Sequence, residues 1–97
     1  MKRLKIVRHS DPGHSWYAVK RSRLEALGLI DKISACSYQR GDTVYLEEDQ
    51  DASLLWYALV KPLVDGTFNR EALLDVISIR DSYRNRSPIR RYESFKQ

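Results

Sequence analysis

With only one cysteine in 97 residues, Cys36, the chain can close no internal disulfide, and it has no CxxC pair for redox chemistry or zinc. The N-terminus, MKRLKIVRHS, is basic but carries no apolar signal core, so a reducing cytoplasm is the expected compartment. Long apolar runs are missing too. The best, ASLLWYALV, stops at Lys61 and Pro62, short of the roughly 18 residues a membrane span needs, which argues against a membrane partner. Four glycines leave no room for a GxxxxGK[ST] or GxGxxG phosphate loop. Ser10, Ser15, Ser34 and Ser37 stand in no nucleophile elbow, and no base is placed to activate Cys36, which reads as a small core residue in a strand. Catalysis therefore has no seat, and the expectation is a non-enzyme without cofactor.

Two clusters test that expectation. His9 and His14 flank Asp11-Pro12-Gly13, residue types that fit a metal or an acid–base pair. A metal centre needs three or four ligands, and no HExxH spacing supplies the others, so loop histidines holding a turn are the better account and no metal is assigned. Glu47, Glu48, Asp49 and Asp51 lack the alternating ligands and central glycine of a calcium loop. Their place before an apolar helical run suits the positive end of a helix.

What is present is a chain of single-domain length, with 42% apolar residues, ten aromatic rings and a formal charge of +4. Charge is segregated. Lys2, Arg3, Lys5, Arg8, Lys20, Arg21 and Arg23 face only Asp11 in the first 23 residues, the stretch from Gly41 to Gly66 is acidic, and Arg80 onward is arginine-rich. Such patterning fits an anionic partner, a basic tail folded on the acidic middle, or two copies packed acidic face to basic face. A domain this small buries a modest share of its surface, which leaves a homodimer open.

The hydrophobic pattern gives the elements. LKIVR and SWYAV read as strands either side of the Pro-Gly breaker; Ser22 and Glu25 form a capping box for a short helix stopped by Gly28. ISACSYQRGDTVYLEE reads as a hairpin turning at Gly41, with Val44 and Leu46 on one face. Asp51 is the expected N-cap of a helix carrying Leu54, Leu55, Ala58 and Leu59, which Pro62 ends. Asn69 caps NREALLD, and DVISIRDSY is the last strand. The expected fold is α+β: an antiparallel sheet with two helices on one face, in the ferredoxin-like βαββαβ order. The domain is expected over 1–83, with 84–97 a basic tail partly docked by Ile89, Tyr92 and Phe95 or disordered.

GLIDKISACSYQRGDTVYLEEDQDASLL and the closing RNRSPIRRYESF resemble a group of small proteins of bacteriophages and other bacterial mobile elements. The likeness covers about two-thirds of the chain and brings no assigned activity or site residues. It implies an accessory product working in the cytoplasm of a bacterial host, in a class rich in inhibitors and modulators of host machinery. The first expectation is accordingly a protein-binding module acting on a host or phage protein, such as a host enzyme or defence complex. Its candidate contacts are Trp16, Tyr17, Arg40, Tyr83 and Arg86, residue types that concentrate interface energy. The alternative is nucleic-acid binding through Arg80, Arg84, Arg86, Arg90, Arg91 and Tyr92. The RGDTVYLE strand begins like an RNA-recognition motif, but Asp42, Val44 and Leu46 replace the expected aromatics.

Overall fold

A computed structural model of the chain describes residues 3–96; Lys2, counted in the basic N-terminal stretch, and Gln97, at the end of the expected tail, lie outside the described residues. β1 (Leu4–Ser10) and β2 (Ser15–Lys20) pair antiparallel, with Val7 opposite Ala18 and His9 opposite Trp16. Between them Asp11 makes the turn: its Oδ1 accepts the amides of Gly13 at 3.0 Å and His14 at 3.1 Å, the Asx geometry that lets a short side chain replace a backbone partner. α1 (Arg21–Ala26) follows without a break and ends at Gly28, whose φ of 70° only glycine adopts freely. β3 (Tyr38–Arg40) and β4 (Thr43–Glu47) form the hairpin around Gly41, and β4 pairs with β2. α2 (Ala52–Leu59) and α3 (Arg70–Val76) come next; Asn69 caps α3 by accepting the Ala72 amide at 3.2 Å. β5 (Ile77–Tyr83) then runs parallel to β1, and β6 (Glu93–Ser94) pairs with β3.

The fold is α+β, with three helices and a mixed, mainly antiparallel sheet of six strands in the order β5-β1-β2-β4-β3-β6. The ferredoxin-like order is not obtained. β1 and β2 are neighbours joined by a four-residue turn, and β5 enters beside β1 in parallel, as it can after the long α2–α3 crossover. Two local expectations also change. Ser22 does not cap α1, whose N-cap position is Lys20 and has no side-chain capping bond. Residues 33–36 form an irregular link with a turn at Ala35–Cys36 rather than a strand, which leaves Cys36 exposed and not in the core. Asp51 stands at the N-cap position of α2 as expected, but its side chain does not bond the amides of that helix. Buried, its Oδ2 instead accepts the Ser34 amide (3.1 Å), the Ser34 hydroxyl (2.8 Å) and the Ser37 hydroxyl, tying the preceding turn to the helix.

One core lies between sheet and helices, built on Ile6, Val19, Val44, Leu46 and Ile77 from the strands and Leu24, Leu55 and Leu73 from the helices. Burial of each such side chain is worth about 1.5–3 kcal/mol. The segment after Tyr83 is part of this structure. Ser87 caps a 3-10 turn over Pro88–Arg91, Ile89 is buried, and Phe95 enters the core. No helix among the described residues is long and apolar enough to cross a membrane.

Candidate functional site

Strand pairing sorts side chains between two faces, because partners across a ladder project to the same side. One face, with Ile6, Ile79, Val19, Val44 and Leu46, is covered by the helices. The other carries a row read directly from the register: Arg80, Val7, Ala18, Tyr45 and Tyr38, running from β5 to β3. Lys5 and Lys20, with Thr43 and Arg40, flank it on one side; His9 and Trp16 flank it on the other.

The closing segment covers only part of this second face. Its Arg90 lies over Trp16, the guanidinium 5.5 Å from the indole centroid, and Trp16 is buried. The Trp16 Nε1 has no hydrogen-bond partner among the described residues. Beyond Arg90, Tyr92 sits 5.1 Å from the Tyr45 ring, and Arg40 lies 5.1 Å from the Tyr92 centroid. His9 meets Tyr45 edge-on at 5.8 Å. The result is a half-buried line of rings, His9, Tyr45 and Tyr92, ending at Arg40.

The rest of this face is open. A groove of about 420 Å³ is lined by Lys5, Val7, Ala18, Lys20 and Arg23, with hydroxyls from Ser22 and Thr43. A second hollow of about 500 Å³ lies between Arg40, Arg91 and Tyr92. Cations outnumber acids around both hollows, with Glu93 lining the second and Asp42 beside Lys20 at the first. Burial first, then the charges of Arg84 and Arg80, holds the His9 imidazole below its ordinary value, which keeps the ring neutral at pH 7. Burial, and next the adjacent Tyr92, pushes the Tyr45 phenol up, so it stays a neutral ring and hydroxyl. Lys20 is paired with Asp42 at 3.4 Å, while Lys5, Arg23, Arg80, Arg84 and Arg91 take part in no ion pair among the described residues.

The acidic cluster begins at the end of β4 away from the Lys5–Lys20 groove, where Glu47 is the register partner of Trp16, itself opposite His9. Glu47 turns inward, its Oε2 accepting the amides of Asp49 (2.9 Å) and Gln50 (2.8 Å), and its Oε1 lies 3.8 Å from His14 Nδ1. No group of three or more His, Cys, Asp or Glu side chains among the described residues is placed to hold a metal ion.

The expected contact residues are dispersed by this arrangement. Trp16 is buried, and Tyr17 is half-buried on the helix-covered face against Trp56, 4.9 Å between ring centroids. Tyr83, Arg84 and Arg86 are exposed where β5 ends. Arg90 is engaged with Asp11. Arg40, Arg80, Arg84, Arg91 and Tyr92 belong to one surface, joined there by Lys5, Lys20, Arg23, His9 and Tyr45, which sequence reasoning did not select. Alternation in LKIVRHS would have put Lys5 and His9 together, but not beside Arg80, because nothing local signals the parallel β1–β5 pairing. Compared with protein-family models, curated proteins and solved structures, the chain matches none.

Proposed function

We propose that this chain is a non-catalytic binding module whose working surface is the open sheet face, and that its ligand is single-stranded nucleic acid. The observation that carries the reading is the convergence on one face of ion-pair-free cations, Lys5, Arg80, Arg84 and Arg91, with the ring line His9, Tyr45 and Tyr92. Cations in a groove follow a phosphate backbone, and neutral rings offer stacking to any base. Of the acidic residues, Glu47 stands at the His9 end of this face and is already committed to its own turn, while the groove cations Lys5, Lys20 and Arg23 lie at the other end of the strands.

Fluorescence anisotropy of labelled oligonucleotides tests it. Affinity should fall steeply between about 50 and 200 mM salt. Tyr92→Ala should weaken binding by about 1–3 kcal/mol, the contribution of one stacked base. An affinity indifferent to salt would remove the proposal.

A second reading is the protein-binding module of a phage-type modulator acting on a host enzyme or defence complex. It draws on Tyr83, 62% exposed, with Arg84 and Arg86 next to it. Rigid tyrosine and arginine side chains are common anchors of protein interfaces. Pull-down from bacterial lysate with and without nuclease separates the two: a defined protein that survives nuclease and is lost in Tyr83→Ala supports this reading.

A further inference from the structure

The helical layer carries, on its outer side, a feature the sheet face does not explain. The link between α2 and α3 projects Leu63 and Val64 into solvent, Leu63 half-exposed and Val64 fully so. Exposed apolar pairs usually sit on mobile loops, but this one is held. Leu63 N donates to Thr67 O at 2.9 Å, Gly66 N donates to Leu63 O at 2.8 Å, and Asp65 Oδ1 accepts both the Thr67 amide and hydroxyl. Gly66 takes a φ of 85° to close the turn. An apolar tip ordered in advance has little conformational entropy left to lose on docking.

Beside the tip lies a complementary hollow. A groove of about 340 Å³ is lined by Leu27, Leu29, Leu54, Tyr57 and Ala58, with Lys32 at its rim. Tip and groove are neighbours, since Tyr57 lines the groove and its ring packs on Phe68, at the base of the tip, 5.5 Å between centroids.

We infer that this surface is the dimer interface for a second copy of the chain, each copy seating its Leu63–Val64 tip in the other's groove. A protrusion and a hollow side by side on one molecule are self-complementary about a two-fold axis passing between them, the isologous arrangement that closes at two subunits. Charge agrees. Asp65, adjacent to Val64, uses only Oδ1 to hold its own turn, and the groove it would approach carries Lys32 at the rim. The helices separate this interface from the open sheet face, so the dimer carries two such faces pointing outward, and a strand long enough to reach both would bind with avidity. The inference does not depend on what the sheet face binds.

Sedimentation velocity of the full chain across a concentration series tests it. A concentration-dependent monomer–dimer equilibrium is expected, with Val64→Asp raising the dissociation constant by at least about tenfold while leaving the circular dichroism spectrum unchanged. Pairing is read separately in a Cys36→Ser background. Val64→Cys protein mixed with Ala58→Cys protein should form a mixed disulfide under mild oxidation in greater yield than either forms alone. A monomer at every concentration overturns the inference, and so does a dimer that Val64→Asp leaves intact. A dimer whose mixed disulfide forms no better than the self-pairs overturns the tip-in-groove geometry.

Discussion

Arg90 and Asp11, 79 residues apart, meet in a two-pronged ion pair, with Arg90 Nη2 2.8 Å from Asp11 Oδ1 and Nε on Oδ2. The carboxylate also accepts the Gly13, His14 and Ser87 amides, so one side chain shapes the β1–β2 turn and anchors the closing segment. Gly13 makes room, since a Cβ there would stand 2.7 Å from Arg90 Nη2.

That relationship sets an acid limit. The Arg90 guanidinium, ahead of the backbone amides, holds the Asp11 carboxyl well below the usual carboxylate range. A group depressed in the folded state stabilises fully above its unfolded value, near 4, and loses that contribution as pH falls toward the folded value. His9 acts in the same direction in a higher window, because its depressed imidazole must be kept neutral in the fold while the unfolded ring charges below about 6.5. Urea midpoints measured against pH should therefore decline in two stages on acidification. Asp11→Asn should lower the midpoint at neutral pH and flatten the stage below about pH 4.

Ile89 is the apolar half of the same anchor, fully buried where the closing segment crosses Trp16. Ile89→Ala should cost about 2–5 kcal/mol in urea unfolding, the range for truncating a buried isoleucine. Hydrogen exchange should quicken in β3, which loses its β6 partner when the segment lifts. Full stability after this change would mean that 84–96 does not belong to the cooperative unit.

How much of this was legible beforehand depended on sequence distance. The hairpin at Gly41, the Asn69 cap, the stop at Gly28 and the Val44/Leu46 face are all written within a few residues, and all are formed. The parallel β1–β5 ladder and the β3–β6 pair join segments more than 50 residues apart, and no local rule encodes either. The site inherited that gap. Its cations are scattered along the chain, and only the ladder aligns Lys5, Val7 and Arg80. Trp16 misled for the opposite reason: a large aromatic looks like an interface anchor until the segment that covers it is known.

The network under β4 makes a sharper stability test than the apolar core. The Ser37 hydroxyl accepts the Glu47 amide at 3.0 Å and donates to Asp51, and all three residues are buried. Ser37→Ala removes few atoms yet strands a backbone donor and weakens the hold on a carboxylate. A loss of about 1–3 kcal/mol is expected, against near-neutrality for Ser53→Ala on the exposed side of α2. Equal effects of the two changes would contradict the network.

Cys36 offers a direct check of the turn that replaces the expected strand. In a strand facing the core it would resist reagents until unfolding, but in the turn it is exposed. Ellman's reagent should therefore titrate one thiol in the native protein without denaturant. Protection lifted only by urea would restore the longer first arm of the hairpin.

The open sheet face is tested most cleanly by the salt dependence of binding. Each phosphate neutralised on a single strand contributes about −0.7 to the slope of log affinity against log salt. Arg80→Ala and Arg84→Ala each remove one cation near His9, so each should weaken binding and flatten the slope by about that amount. Arg8→Ala is the matched control. Arg8 lies in the same strand as Lys5 but on the helix-covered side, paired with Asp81, and its loss should leave the slope unchanged. A slope that responds equally to Arg8→Ala and Arg80→Ala would mean that net charge alone, and not this face, meets the nucleic acid.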